Sequence, residues 1–327
     1  MPRFTVRVVE SLLSDLGFRT DEKDPNYRLD SGESATFARE LQFVETEIYT
    51  TEYAQNRARE FIPVDSSIPS WALEYVWRIW NWAGMAKIIT SYSDDLPAVD
   101  LMAAEKVQII QTIGDSFGYS IQDLRASAKM GIPLNTEKGV IARTAIENKI
   151  EALSIFGDTA AGLPGFCNMP NVPILSSPGN LTGNWRGGAT PDEILDDLHA
   201  LADAVVVNTN NLHQPDTLLL PLRHFAYISR KRMNDITNDT ILSVFLKTNN
   251  YIRNVDQWLP LATADGSGGP MAVCYHRNPR VVKLVIPQEF DMLPPQPVNL
   301  AFKIPCHARF GGVSWRYPLA AVYGIGI

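Results

Sequence analysis

From Trp71 to Ile79, apolar side chains fall on every second residue: Trp71, Leu73, Tyr75, Trp77 and Ile79. That is the period of a β-strand. A second β-rich run, VQIIQTIGDSFGYS, begins at Val107, and Pro97 breaks the chain between the two. The pattern predicts a long hairpin with a wide tip between residues 83 and 105. Trp77, Trp80 and Trp82 crowd one arm of it. Two readings follow. The aromatic face is either an ordinary buried sheet face, or it projects and is covered by another copy, because a patch of that size is costly to leave in water.

The period then lengthens. In TEKGVIARTAIENKIEALSIFGD, Ala142, Ile146, Ile150 and Leu153 share one helical face. Asn135 is the predicted N-cap and Gly157 the predicted C-terminal stop. About 21 residues at ~1.5 Å each make a helix of roughly 31 Å. The stretch from Gly162 to Glu193, rich in Gly, Pro, Asn and Ser, reads as loop until Thr190-Pro191-Asp192-Glu193. Those four residues predict a capping box with proline at the first helical position. Ile194, Leu198, Leu201 and Val205 line the helix that follows. Thr217–Leu220 predicts a short buried strand running into a helix, and Asp239 to Thr248 a further helix. Strands dominate from Met271 onward. This alternation predicts an α/β or α+β subdomain over residues 190–285.

Residues 1–65 differ from the rest. Phe4 to Leu16 can form a short amphipathic helix, and TDEKDPNYRLDSGESAT offers little to bury. The segment after it mixes apolar and charged residues without a sustained period. This is an extended arm with short helical pieces, which must lie on something else to be ordered.

Composition narrows the function. Of the 327 residues, 45% are hydrophobic and 20% charged, enough for a sizeable core. The net charge is −7 and the pI about 5.3, which argues against a protein whose task is gripping nucleic acid. Enclosing nucleic acid remains open, since a wall facing DNA gains by not sticking to it. Cys167, Cys274 and Cys306 are odd in number and widely spaced, as expected for a reducing compartment. The N-terminus lacks a signal-peptide pattern, and no apolar run is long enough to span a membrane.

Candidate chemistry is sparse. The chain has no phosphate-binding G-x-x-x-x-G-K-[ST] loop, no G-x-S-x-G elbow and no H-E-x-x-H helix. The glycine-rich Gly266–Pro270 stretch reads as a surface loop. No two of the five histidines sit at metal-ligand spacing, and Cys306-His307 should point to opposite faces of a strand. Asp94-Asp95 reads as a solvated turn, and Asp196-Asp197 as a solvated helix face. Arg230-Lys231-Arg232 is a small basic patch, either a solvated helix end or a contact between copies. No catalytic residue, cofactor site or metal site is expected, and the chain does not read as an enzyme.

The order of parts is an arm, a long hairpin, a lone long helix, an α/β subdomain and closing strands. That order resembles the α+β Hong Kong 97-like fold of tailed double-stranded DNA bacteriophage capsid proteins. The segments FARELQFVETEIY, GMAKIITSYSDDLPAVD, GYSIQDLRASAKMGIPL, GDTAAGLPGFCNMPNVP, IPQEFDMLPPQ and PCHARFGGVSWRYPLA are similar to a family of phage major capsid proteins once classed as a domain of unknown function. The resemblance covers residues 36–327. It implies an N-terminal arm over 1–65 and an extended hairpin loop over 66–118. It further implies a peripheral domain over 119–165 and 295–327, with a spine helix at 135–156, and an axial domain over 166–294. The arm is too short to hold a large scaffolding domain.

The implied function is self-assembly into hexamers and pentamers of an icosahedral head. That head would be built in the bacterial host cytoplasm and enclose the phage genome without sequence-specific DNA binding or a membrane. The implied partners are other copies, a portal, and decoration or scaffolding proteins. Contacts between copies are expected from Trp77, Trp80, Trp82 and Lys87 on the hairpin and from Phe4, Leu12, Phe37 and Phe43 on the arm. Lys87 also lies where one relative by fold links its subunits covalently, though a solvated or ion-paired lysine is the simpler reading. The alternative is an encapsulin-like nanocompartment shell of the same fold.

Overall fold

A central mixed sheet divides the core in two, and alternation along its strands decides which side chain joins which half. The computed structural model describes residues 56–83, 100–130, 134–234 and 238–327. Phe4, Leu12, Phe37, Phe43 and Lys87 lie outside these, as does the Asp94-Asp95 pair.

The described chain opens with a single turn, α1 (Ala58–Phe61), then a short strand, β1 (Val64–Asp65). The hairpin is β2 (Glu74–Ala83) with β3 (Asp100–Ile109), paired antiparallel from Glu74↔Ile109 to Ala83↔Asp100. The second strand therefore starts several residues earlier than the apolar pattern predicted. Residues 100–106, DLMAAEK, carry no alternation because most of them face solvent in this ribbon.

β4 (Gln111–Ser120) turns away from the hairpin, and α2 (Ile121–Met130) follows. No helix was expected over α2. The long helix is α3 (Leu134–Phe156), whose Ala142, Ile146, Ile150 and Leu153 are all buried, as predicted. It begins one residue before Asn135, which sits inside the first turn and not ahead of it. Gly157 ends it at φ +64 with its N–H on Leu153 O at 2.9 Å, and Asn168 Nδ2 donates to Phe156 O at 2.6 Å.

Further on lie β5 (Ile174–Ser176), α4 (Pro191–Asn208), β6 (Thr217–Leu220), α5 (Leu222–Arg230) and α6 (Ile241–Thr248). The capping box at Thr190 and Glu193 is present, with Pro191 in the first turn. The rest is β7 (Asn254–Gln257), β8 (Met271–Tyr275), β9 (Val282–Val285), β10 (Gln288–Met292), β11 (Gln296–Val298), β12 (Ala301–Phe310), β13 (Gly312–Trp315) and β14 (Ala321–Ile325).

The central sheet runs β5-β14-β8-β6-β7. Leu219, Val273, Tyr275, Ala321 and Tyr323 point to one core, shared with the buried stripe of α3. Leu218, Leu220, Ala272, Cys274 and Val322 point to the other, filled by Ile194, Leu198, Leu201 and Val205 of α4 and by Ile241 and Phe245 of α6. Both faces are buried, which is why TLLL and MAVCY read as continuous apolar runs. The long strand β12 carries β4 on one side and β10 and β11 on the other. β9 joins β1 to β13.

Asp196 and Asp197 correct the sequence reading. Successive helical residues are about 100° apart, so Asp196 stays exposed while Asp197 turns inward to 3% exposure. Its carboxylate accepts from Thr182 N at 2.7 Å, Gly183 N at 3.0 Å and Trp185 Nε1 at 2.7 Å. It organises the loop before α4, and no solvated face exists at that position.

The start of the described chain is held by Glu151 on α3. Its carboxylate accepts from Ala58 N at 2.9 Å, Arg57 N at 3.2 Å and Trp258 Nε1 at 3.2 Å. Burial pushes its pKa above the ordinary value, against the lowering effect of those donors.

Candidate assembly surfaces

Among the described residues β2 and β3 pair only with each other, so the hairpin is a two-stranded ribbon. Alternation assigns its residues. Tyr75, Trp77 and Ile79 lie on one face, and Val76, Arg78 and Trp80 on the other. The sequence reading placed the tryptophans in one aromatic cluster, but the structure splits Trp77 from Trp80. Trp77 is half-buried, 5.4 Å from the Tyr75 ring, and turned toward the body of the protein. Trp80 is 58% exposed. Trp82 pairs through its backbone with Leu101, and its side chain is outside the described set. On the exposed face Arg78 Nε holds Glu105 at 2.9 Å, a pair open to solvent and worth little by itself.

The hairpin is rigidly rooted. Ile68, Ile110 and Val285 form a small core against which Ala72 and Tyr75 pack. Ile110 N donates to Leu73 O at 2.9 Å, Arg309 donates to Ser70 O, and Arg316 donates to the Tyr75 hydroxyl. Gln108 Nε2 donates to Gly311 O. Just before the root, Asp65 accepts from Lys283 Nζ at 2.6 Å and from the Ser67 hydroxyl at 2.6 Å. Burial raises the Asp65 pKa, and the bonds from Lys283 and Ser67 outweigh it, so the carboxyl sits below its ordinary value.

Beyond the root, apolar side chains stand in solvent: Val76, Trp80, Leu101, Met102 and Val107 are all exposed. Between the ribbon and the body lies a cavity of about 650 Å³. Its walls are Trp77, Lys106 and Gln108 from the ribbon, Leu163 from the loop after α3, and Trp315 and Arg316 from the end of β13. Below it an aromatic column holds the body together: Phe166 stacks on Trp315 at 5.3 Å and meets Tyr275 edge-on at 5.2 Å.

The residues considered for chemistry do not converge. The three cysteines are free and buried, and burial keeps the Cys167 and Cys274 thiols protonated. Cys306 is buried while His307 turns the other way, with its Nε2 3.2 Å from Gln288 Nε2. Arg230, Lys231 and Arg232 are exposed at the end of α5. The fold does bring together two histidines that are far apart in sequence. The His213 and His276 rings lie 5.8 Å apart, and burial followed by the His276 charge lowers the His213 pKa. Among the described residues, no group of three or more His, Cys, Asp or Glu is placed to hold a metal ion, and no helix is long and apolar enough to cross a membrane.

The fold recurs in solved structures. The capsid of Myoviridae phage XM1 superposes with a TM-score of 0.76 at 14% identity, covering 89% of this chain and 98% of that one. Gordonia phage Cozz gives 0.58 at 11% identity over 94% and 98% of the two chains. A virus-like particle from Pyrococcus furiosus gives 0.50 at 13% identity over 81% and 90%. A comparison with curated protein sequences returns no match. The profile of the family described as "Major capsid protein" matches residues 84–327, which takes in the second strand of the hairpin and everything after it. That match spans most of the chain, and the chain belongs to the major capsid protein family.

Proposed function

We propose that this structural capsid subunit closes into hexamers and pentamers of an icosahedral head, with the hairpin as its principal reach onto neighbouring copies. The observation that carries this is the ribbon itself. It is rigid at its root yet exposes Trp80, Leu101, Met102 and Val107, a surface whose burial requires another chain. Heterologous contacts that close on themselves make such rings. Many weak copies of one contact then sum to a stable shell.

In this reading the hairpin contacts run through Trp77, Trp80, Trp82 and Lys87, and the arm contacts through Phe4, Leu12, Phe37 and Phe43. Residues 66–118 act as the extended loop. Residues 119–165 and 295–327 form the peripheral domain around the α3 spine, and 166–294 the axial domain, whose sheet takes β14 back from the peripheral segment. The shell assembles in the host cytoplasm with a portal and scaffolding or decoration proteins. It encloses double-stranded DNA without reading its sequence, as the net charge of −7 favours.

Electron microscopy of the purified full-length protein tests this. Closed polyhedral particles or capsomer rings are expected. A protein that stays monomeric under every assembly condition overturns it. An encapsulin-like compartment would also give particles, but with a cargo protein inside in place of DNA when they are purified from their natural source.

A further inference from the structure

Two short connections carry the chain between the central sheet and the β1-β9-β13 sheet. Residues 276–281 lead from β8 to β9, and residues 316–320 return from β13 to β14. The two are laced together, since His276 N donates to Ala320 O at 3.1 Å and Arg316 N to Val281 O at 2.8 Å. A third segment, the loop between α4 and β6, sets His213 against both. Its ring lies 5.8 Å from the His276 ring, nearly perpendicular at 88°, and 5.1 Å from the Tyr317 ring. The loop is itself pinned, because His213 N donates to the Thr209 hydroxyl at 3.2 Å.

His213 Nε2 and His276 Nδ1 are buried and have no hydrogen-bond partner among the described residues. A neutral imidazole can keep such a nitrogen as an unused acceptor, but in the imidazolium both ring nitrogens are donors, and a buried charged donor without an acceptor is costly. Two such charges on neighbouring rings also repel. The surroundings offer little relief. The first connection adds Arg277 and Arg280, with the Arg277 guanidinium donating to Glu60 O and Phe61 O. The return connection adds Arg316, and the last turn of α4 carries no charge. The nearby carboxylate is Asp216, whose Oδ1 already accepts from Arg277 N at 2.7 Å and from the Thr217 hydroxyl at 3.1 Å. Burial, then the His276 charge, holds the His213 pKa below its ordinary value.

We propose that His213 and His276 form an acid-released clasp on these two connections, closed while both rings are neutral and opened by their protonation. Every group in it belongs to one chain, so it stands apart from the shell reading. The fold favours neutral His213, so the clasp's contribution is complete above the ordinary histidine range and is lost as pH falls from there through the lower folded value. The return connection also carries Arg316, Pro318 and Leu319 into the wall of the cavity beneath the hairpin, and Arg316 holds the Tyr75 hydroxyl. Opening the clasp therefore frees the hairpin root to shift.

Hydrogen exchange on the full-length protein tests this, read as protection factors so that the intrinsic pH dependence of exchange is divided out. Between about pH 7.5 and about pH 5, the amides of His276 and Arg316 should lose protection several-fold. Val273, paired on both sides within the central sheet, should keep its own. His213→Gln should abolish the loss at both connections, and His276→Gln supplies the same test from the other side of the pair if the first variant does not fold. Unchanged protection in the wild-type protein overturns the proposal. A loss that persists in the variants also overturns it and assigns the response to a carboxylate such as Asp216. An equal loss at Val273 does so too, as general acid unfolding.

Discussion

The hairpin and the central sheet are built from the same two-residue alternation and come to opposite ends. In the sheet, Leu219 and Val273 enter one core while Leu218, Ala272 and Cys274 enter the other, so these side chains find their burial inside one chain. In the hairpin, the Trp77 side is half-covered by the body and the Trp80 side is covered by nothing described. Local pattern is thus equally strong in both. The difference is whether the second layer is supplied by the same polypeptide. A strand pair that is regular, well rooted and apolar on its free face is an interface waiting for a partner.

That contrast can be broken by substitution. The largest effect belongs to the sheet side. Asp197→Ala leaves Thr182 N, Gly183 N and Trp185 Nε1 without their acceptor. Denaturant unfolding should show a loss of ~3–5 kcal/mol, and a loss below ~1 kcal/mol would mean that water replaces the carboxylate with ease.

Next comes the covered side of the hairpin. Trp77 is only half-buried, so Trp77→Ala should cost about 2 kcal/mol, roughly half of a core tryptophan truncation. Thermal unfolding of the monomer checks it. Asp65→Asn at the root should cost about 1–2 kcal/mol near neutral pH, and its pH dependence is the sharper readout. The folded-state pKa is depressed, so the contribution is present above the ordinary carboxylate value and is lost as pH falls through the lower folded value. In Asp65→Asn that portion of the acid-side slope should vanish.

The smallest effect on stability should come from the free face. Trp80→Ser should change monomer stability by less than ~0.5 kcal/mol and yet abolish particles in sedimentation. An equal loss in both assays would make Trp80 a folding residue and erase the contrast between its face and that of Trp77.

Much of this was readable in advance. Ala142, Ile146, Ile150 and Leu153 announced the long helix, Gly157 its end, and Thr190 with Glu193 the start of α4. These are contacts within one or two turns, where spacing alone specifies who meets whom. The misses share a cause. α2 has no buried stripe long enough to stand out, and Leu101 and Met102 belong to a strand whose alternation is absent because both its faces meet solvent. Asp197 looked like its neighbour Asp196, since nothing in the helix itself says that an indole N–H and two loop amides wait on one side. Trp77 and Trp80 were read as parts of one aromatic face, whereas strand alternation sets them on opposite faces of the hairpin. Arg316 and Ser314, 200 residues and more away in sequence, were not singled out at all.

By itself, then, the sequence determined the long helix and its glycine stop, the capped start of α4, the buried runs of β6 and β8, and the family wording that runs through the chain. These depend on near neighbours or on composition, which a linear reading contains. Only the tertiary structure decided that the hairpin stands free of the central sheet, that its tryptophans part to opposite faces, and that Lys106 and Arg316 meet over one cavity without a carboxylate. Those facts depend on which segments the fold lays side by side, and long-range placement is set by the sum of burial over the whole chain, which no window of residues records.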